Sequence, residues 1–594
     1  MAPVGARHVI LRVAAIVLGG YAASAALVAA GAVLLPLLGV ARSDAFTLSA
    51  ALGFLVYLAL GLWAAVWGRA GQGLTVRQSL NGLHTWAGLV VGPLLFLVFW
   101  TGTLCVFDKE IDRWMIPQTR LVYDGTPVSA DRLLAEQRKL PPRQAPWAMV
   151  MPTEREPFAW IAYRTPTGFD RKLYDPAGLK PLPDAETWAA TRFFFPLHYS
   201  LHLNAWDIGL WLVGFSGMAM LALCVSGVIV HRKIFADFFT LRRSRQPQRS
   251  LLDLHNTAGT LGFVFYLVMA FSGLAIFAAT FYPSGWMVGW RGGYGGNQQA
   301  YFTEAYDNYF RPPLKKPAAP VASLDAMVET ATKAWKGLPP FMVRIWLDGD
   351  ANAFVEVRPS IEGELAMRTD PFYFDAATGA LLHRSTTRPV TVLQQYLVGL
   401  HFVQFRHWTL RWVYFALGLL GSLLIATGFL FWGEARRKAH EAAGLGGVRL
   451  VEGLAAGSTA GLVVATLVFF VANRLLPAGA TFLGGERYEL EIWAFFAAWL
   501  AAFAHAWLRR GRAWIELCWT AAALAVAAVL LNALTTGDHL GRTLAQGQWA
   551  VAGMDLVLLA GALVAAVTAF RLQRRKVAEK TGRLVRQGHE GVSS

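Results

Sequence analysis

Phe195-Pro-Leu-His-Tyr-Ser-Leu-His-Leu-Asn-Ala-Trp206 leads directly into a long apolar run, and it holds two of only 13 histidines in 594 residues. If the stretch is helical, the four-residue separation of His198 and His202 puts both imidazoles on one face, one turn apart. They would then enter a membrane pointing the same way. Their purpose depends on where the other histidines fall.

The chain is 55% hydrophobic and 15% charged, whereas soluble domains carry charge on about a quarter of their residues. Several apolar runs exceed the ~20 residues that cross a bilayer as a helix. Ten spans are expected, at about 10–38, 46–67, 84–107, 207–230, 256–281, 409–432, 452–473, 489–507, 513–533 and 549–570. The fold class is thus a polytopic α-helical membrane protein. The first run follows Arg7 and Arg12 but is too long for a signal peptide, so it reads as a retained helix. The net charge of +16 lies in short loops between apolar runs, which points to membrane lipid and away from nucleic acid. Cys105, Cys224 and Cys518 all sit in apolar segments and form no CxxC pair, which argues against sulfur redox chemistry.

Loop charge sets the orientation. The segment 231–254 carries Arg232, Lys233, Arg242, Arg243, Arg245 and Arg249. Arg436, Arg437 and Lys438 follow on the same side, then Arg509, Arg510 and Arg512, then a basic tail from Arg571. Loops such as 534–548 are nearly free of Lys and Arg. Both termini are therefore expected in the cytoplasm, and the polar insertions 108–200 and 282–400 outside it. In the second insertion, Ser323 to Trp335 is amphipathic, while Phe341 to Leu347 and Ala353 to Arg358 alternate as strands do, before a turn at Asp375–Gly379. Ala159 to Arg164 and the turn Tyr174–Gly178 echo this in the first.

The chain repeats itself. Leu83-His-Thr-Trp-Ala-Gly88 resembles Leu254-His-Asn-Thr-Ala-Gly259, and each run later reaches Thr101-Gly102 or Ser272-Gly273. Leu197-His198 is mirrored by Leu400-His401, and the spans that follow end in Ser226-Gly227 and Thr427-Gly428. Assigned to this topology, the histidines form two layers. His84, His231 and His255 lie on the cytoplasmic side; His198, His202, His401 and His407 lie on the outer side. Ionisable groups at membrane depth are costly and usually functional. Zinc would want carboxylates or thiolates beside the imidazoles. A b-type haem wants two imidazoles from different helices in an apolar, aromatic setting. On one shared face, His198 and His202 cannot sandwich one iron, so a partner must come from His401 or His407; on the inner side His231 can pair with His84 or His255.

The segments LHTWAG, DLHNTAG, LHYSLH, LHF and DAATGALL resemble the PepSY-associated transmembrane family over about residues 78–438. That resemblance divides the chain into two N-terminal helices (1–77), a core (78–438) and four C-terminal helices with a basic tail (439–594). It implies that the insertions are two small α+β PepSY domains in the periplasm. It further implies an inner-membrane protein of iron uptake with haem b, two copies being expected. The iron ligands expected are His84, His231 and His255 on the inner side and His202 and His401 on the outer. The implied activity is reduction of a ferric siderophore, which loosens the iron. Some relatives carry a fused flavodoxin-reductase module; no Rossmann-type glycine fingerprint occurs here, so the donor is left open between a cytoplasmic protein and a quinol. Two other functions compete: a non-enzymatic scaffold whose PepSY domains bind a periplasmic protein, and a transporter of siderophore or haem.

Overall fold

The computed structural model describes residues 15–67, 73–140, 147–165, 168–231, 247–368, 370–509 and 511–590. The first residues of the expected span 10–38 and loop residues 232–246, with Arg232, Lys233, Arg242, Arg243 and Arg245, lie outside the described residues. So do Arg7, Arg12 and Arg510.

The apolar runs form helices. An N-terminal pair, α1 (Gly20–Leu37) and α2 (Arg42–Trp67), precedes the core. The first core repeat contains α3 (Val76–Cys105), α4 (Asp108–Met115), α5 (Ala130–Lys139), strands β1 (Trp147–Val150), β2 (Ala159–Thr165) and β3 (Gly168–Tyr174), then α6 (Ala189–Ser200) and α7 (Ile208–Val230). The second contains α8 (Pro247–Leu261), α9 (Phe263–Ile276), α10 (Leu324–Ala334), strands β4 (Pro340–Trp346), β5 (Phe354–Pro359), β6 (Phe372–Asp375) and β7 (Leu381–Arg384), then α11 (Pro389–Phe402) and α12 (Trp408–Ala442). Five longer helices and one short one (Leu540–Ala545, before the last) complete the described residues: α13 (Gly447–Ser458), α14 (Ala460–Leu475), α15 (Arg487–Leu508), α16 (Ala513–Thr536) and α17 (Trp549–Glu590).

Among the described residues, nine helical segments are long and apolar enough to span a membrane, with α13 and α14 counted as one. α8 and α9 pass the same test only as a pair, bent by 61°, and counting that pair as one span brings the number to ten. The bend sits at Gly262, where a Cβ would stand 2.1 Å from Cζ of Tyr266. The Tyr266 ring fills the notch and its hydroxyl donates to the Ala258 carbonyl across it (3.2 Å).

The core spans pack in a ring, α3 against α7, α7 against α9, α8 against α12, and α12 back against α3. Both insertions leave the same end of this ring and meet there. To the sheet layer each supplies one helix and an antiparallel meander, and the meanders join through β1 and β4. The sheet order is β3-β2-β1-β4-β5-β6-β7. What the sequence presents as two domains thus closes as one seven-stranded sheet, because β1 and β4 would otherwise leave their inner edges without backbone partners. The helices α5 and α10 cover one face, burying Leu133, Met327, Ile161, Val343 and Val355. Their N-termini are capped reciprocally. Asp325 accepts from Ser129 Oγ and the Ala130 N–H (both 2.6 Å), while Asp131 accepts from Ser323 Oγ (2.6 Å) and the Leu324 N–H (2.7 Å).

The flanking helices dress the two repeats differently. α1 and α2 lie against the second, through Phe46, Phe54, Phe281 and Tyr282. Among the C-terminal helices, α13 packs on α12 through Phe429 and Trp432, and the helices after it lie against the first repeat, where Phe193 and Phe194 enter a cluster with Phe469 and Phe495. Polar ties reinforce that seam: Trp114 Nε1 donates to Asp555 (2.8 Å), and Arg120 reaches Asn532 (2.8 Å) and Asp538 (2.7 Å).

Candidate functional site

Four histidines meet in two pairs across the repeats. At the end of the ring away from the sheet, His84 of α3 faces His255 of α8, with ring centres 6.2 Å apart. At the sheet end, His198 of α6 faces His401 of α11, with centres 6.1 Å apart. Each imidazole docks on a Ser/Thr–Gly dipeptide of its own repeat. A Cβ at Gly102 would stand 2.8 Å from Cε1 of His198, and one at Gly273 2.9 Å from Cε1 of His401. At Gly227 and Gly428 the corresponding distances, to His84 and His255, are both 3.3 Å. At Gly102 and Gly273 only glycine lets the ring come this close to the neighbouring backbone.

The hydrogen bonds fix the tautomers. His198 Nδ1 lies 2.9 Å from the Val98 carbonyl and His255 Nδ1 2.9 Å from the Leu424 carbonyl. A carbonyl only accepts, so both Nδ1 atoms carry the proton. His84 Nδ1 lies 3.1 Å from Ser226 Oγ and His401 Nδ1 3.0 Å from Ser272 Oγ. Each hydroxyl has its own carbonyl acceptor, Ala222 at 2.7 Å and Val268 at 2.6 Å, and so accepts from the imidazole. All four histidines keep a lone pair on Nε2, which has no hydrogen-bond partner among the described residues. A second hydrogen bond that pins the far nitrogen is how metal-binding imidazoles are oriented.

Residues 82–435 match the model of the PepSY-associated TM region. The chain belongs to that family. An uncharacterized protein of Pseudomonas aeruginosa is 29% identical over 316 residues, covering 49% of this chain and 74% of its own length. Within the PepSY-associated region, His84 and Gly102 are 18 residues apart, as are His255 and Gly273. Eighteen residues is five helical turns, so in the single helix α3 both lie on one face, about 27 Å apart at ~1.5 Å per residue. This repeat of spacing was readable in the sequence and identifies the docking glycines.

The structure redraws the expected pairings. The helix α6 stops at Ser200, and Leu201 and His202 are left-handed (φ 54° and 55°). His202 therefore does not continue the face of His198. It turns toward the C-terminal helices, stacks on Phe193 at 5.3 Å and donates from Nε2 to the Phe193 carbonyl (2.8 Å). His401 meets His198 in its place. His231 closes α7, its N–H bonded to the Gly227 carbonyl. It does not join the pair away from the sheet, which His84 and His255 form without it. His407 is exposed at the start of α12, beside Phe405.

A largely apolar cavity of about 370 Å³ surrounds the sheet-end pair, walled by Phe99, Phe265, Met269 and Phe277. Asp108 and Lys109 of α4 close it on the side of the sheet. Behind them lies a buried ionic cluster. Glu110 pairs with Arg155 (3.1 Å) of the sheet domain and Arg411 (2.5 Å) of α12. Burial would raise the Glu110 carboxyl, but the two guanidiniums outweigh it and hold it at about 2. Arg155 also reaches Asp108 (3.3 Å) and Gln404 (3.3 Å), so the cluster ties both repeats to the sheet next to the histidines.

With an imidazole nitrogen about 2 Å from a bound metal and its ring centre about 1 Å behind, two imidazoles on opposite sides of one metal have centres about 6 Å apart. Both observed pairs match that separation. Among the described residues no group of three or more His, Cys, Asp or Glu is placed to hold a metal. The donor set is two neutral imidazoles per site, in apolar surroundings. That set would suit a haem, which brings further iron ligands of its own, better than a closed zinc site.

Proposed function

We propose that the protein is a haem b-containing oxidoreductase of the bacterial inner membrane that carries electrons from the cytoplasmic side and reduces a ferric siderophore in the periplasm. The observation that carries this reading is the stacking of two histidine pairs, each at metal-sandwich separation, about 27 Å apart along a helix. Haem, when bound, supplies the one-electron chemistry at each level, and the protein supplies binding, orientation and burial. His84 with His255, and His198 with His401, would each hold one haem. Their Nδ1 bonds hold the Nε2 atoms in readiness, and the docking glycines let the Cε1 edge of each ring approach the helix backbone.

The basic residues Arg436, Arg437 and Lys438 at the end of α12 favour placing the His84–His255 level toward the cytoplasm and both termini there. The sheet then stands in the periplasm over the His198–His401 level. A siderophore is too large and polar to enter the ring of helices, so it meets electrons on that side. Siderophore oxygens hold ferric iron tightly and ferrous iron weakly, so reduction releases it. The donor is a cytoplasmic protein or a quinol.

Sidedness tests the activity. In sealed proteoliposomes with prereduced protein, an impermeant ferric siderophore added on the sheet side should reoxidise both haem levels. His401→Ala should stop this while the far level stays reduced. Equal reoxidation from the opposite face would refute the direction proposed.

A further inference from the structure

Lys109 lines two cavities. One is the large cavity that holds His198 and His401. The other is a small pocket of about 10 Å³, about the size of a single water, where the charged side chains of Lys109, Asp112, Arg113, Glu156 and Arg171 meet Ile116, Phe158 and Leu173. The residues around this pocket form a lane inward from the edge strand β3. Arg171, a quarter exposed, lies 3.9 Å from Glu156, and Glu156 pairs with Lys109 at 3.3 Å. At the inner end, Asp112 Oδ1 accepts the N–H groups of Ala190 (2.7 Å) and Thr191 (2.9 Å), at the start of the helix that carries His198. Asp112 Oδ2 has no hydrogen bond among the described residues.

We infer that Asp112, reached from sheet-side solvent through Arg171, Glu156 and Lys109, is a proton-uptake site that balances the charge of an electron arriving at the His198–His401 level. This rests on the haem reading above. The balance is one for one. An electron from the donor reaches that level, one proton leaves sheet-side water, and a new O–H bond forms at Asp112. When the ferric chelate withdraws the electron, the carboxyl returns its proton to the lane.

The surroundings suit a group that titrates in the working range. Burial raises the Asp112 carboxyl to about 6, against the pull of Lys109 and of the Thr191 N–H, with Asp108 adding to the rise and Arg171 opposing it. Arg113 and Glu156 are the other charged groups on the shared pocket. On the opposite flank of α4, Asp555 and Arg474 engage Trp114 instead.

The test uses full-length protein in detergent. Asp112→Asn keeps the shape and the oxygen that accepts from Ala190 and Thr191, but it cannot take up a proton. Infrared difference spectra should show a carboxyl band in the wild type that titrates between pH 5 and 7 and is missing in Asp112→Asn. Potentiometric titration should show the sheet-side midpoint falling as pH rises above 6, approaching a tenfold change in redox equilibrium per pH unit, about 59 mV for one electron. Asp112→Asn should flatten that slope and leave the far-side midpoint alone. An unchanged slope in Asp112→Asn, or no carboxyl titration in the wild type, would overturn the inference. Haem present with a flat wild-type midpoint sinks it alone, and a preparation without haem sinks it together with the proposed function.

Discussion

Gly102→Ala adds one methyl group beside His198. Its Cβ would stand 2.8 Å from Cε1 and 3.0 Å from Nδ1 of the imidazole, where carbon contacts prefer about 3.5–4.0 Å. The ring must retreat by roughly 0.7 Å or more to reach that distance, which stretches the 2.9 Å bond from Nδ1 to the Val98 carbonyl. Overpacking of this kind costs about 1–3 kcal/mol, and the lost hydrogen bond adds about 1 kcal/mol. On the proposed function, a total of about 2–4 kcal/mol would weaken haem binding at this level roughly 30- to 700-fold. Gly273→Ala should behave alike, since its Cβ would meet His401 at 2.9 Å. Gly227→Ala and Gly428→Ala meet their imidazoles only at 3.3 Å. A shift of a few tenths of an ångström relieves that, so the expected loss there is below about 1 kcal/mol, or roughly fivefold. Haem content and component-resolved redox titration of the four purified variants read this out directly. The first two should lack the sheet-side component and the other two should keep both. Equal retention in all four, or loss of the far-side component in Gly102→Ala, would refute the docking geometry.

The redrawn pairs predict that His198→Ala removes only the sheet-side haem and His84→Ala only the far-side one, while His202→Ala, His231→Ala and His407→Ala keep both; quantitative haem extraction decides. Glu110→Ala leaves Arg155 and Arg411 buried without their shared carboxylate, and thermal unfolding should show a loss of about 3–5 kcal/mol. Because the Glu110 carboxyl is held at about 2 when folded, against 4.5 ordinarily, its contribution is present above pH 4.5 and is lost as pH falls toward 2. Acid unfolding of the wild type should therefore be steeper over that window than that of Glu110→Gln. Asp131→Ala and Asp325→Ala should each cost about 1 kcal/mol through a lost cap on the opposite helix, and protease sensitivity of the sheet domain should rise in both.

Much of this architecture was legible because membrane spans, repeats and Ser/Thr–Gly dipeptides are written in local composition and spacing. The ten spans follow from apolar length alone, and Thr101-Gly102, Ser226-Gly227, Ser272-Gly273 and Thr427-Gly428 mark the four docking points. Which of His198 and His202 meets His401 was not legible. It turns on α6 ending at Ser200, where Leu201 and His202 adopt left-handed backbone without a glycine or proline to signal it. The fate of His202 is also decided by Phe469 and Phe495, more than 260 residues away, whose cluster takes in the Phe193 ring on which His202 stacks. The joining of the two meanders is likewise a long-range event. No local pattern distinguishes β1 and β4 as inner strands, and only their pairing, Met149 beside Val343, does so.

The most direct measurement is the haem content of the purified protein with its reduced-minus-oxidised spectrum, taken alongside His198→Ala and His255→Ala. Two non-covalent b-type haems per chain are expected in the wild type, one in each single variant, and none in the double variant. A colourless preparation from haem-replete cells, or a double variant that keeps its full haem content, would contradict the assignment of these four histidines.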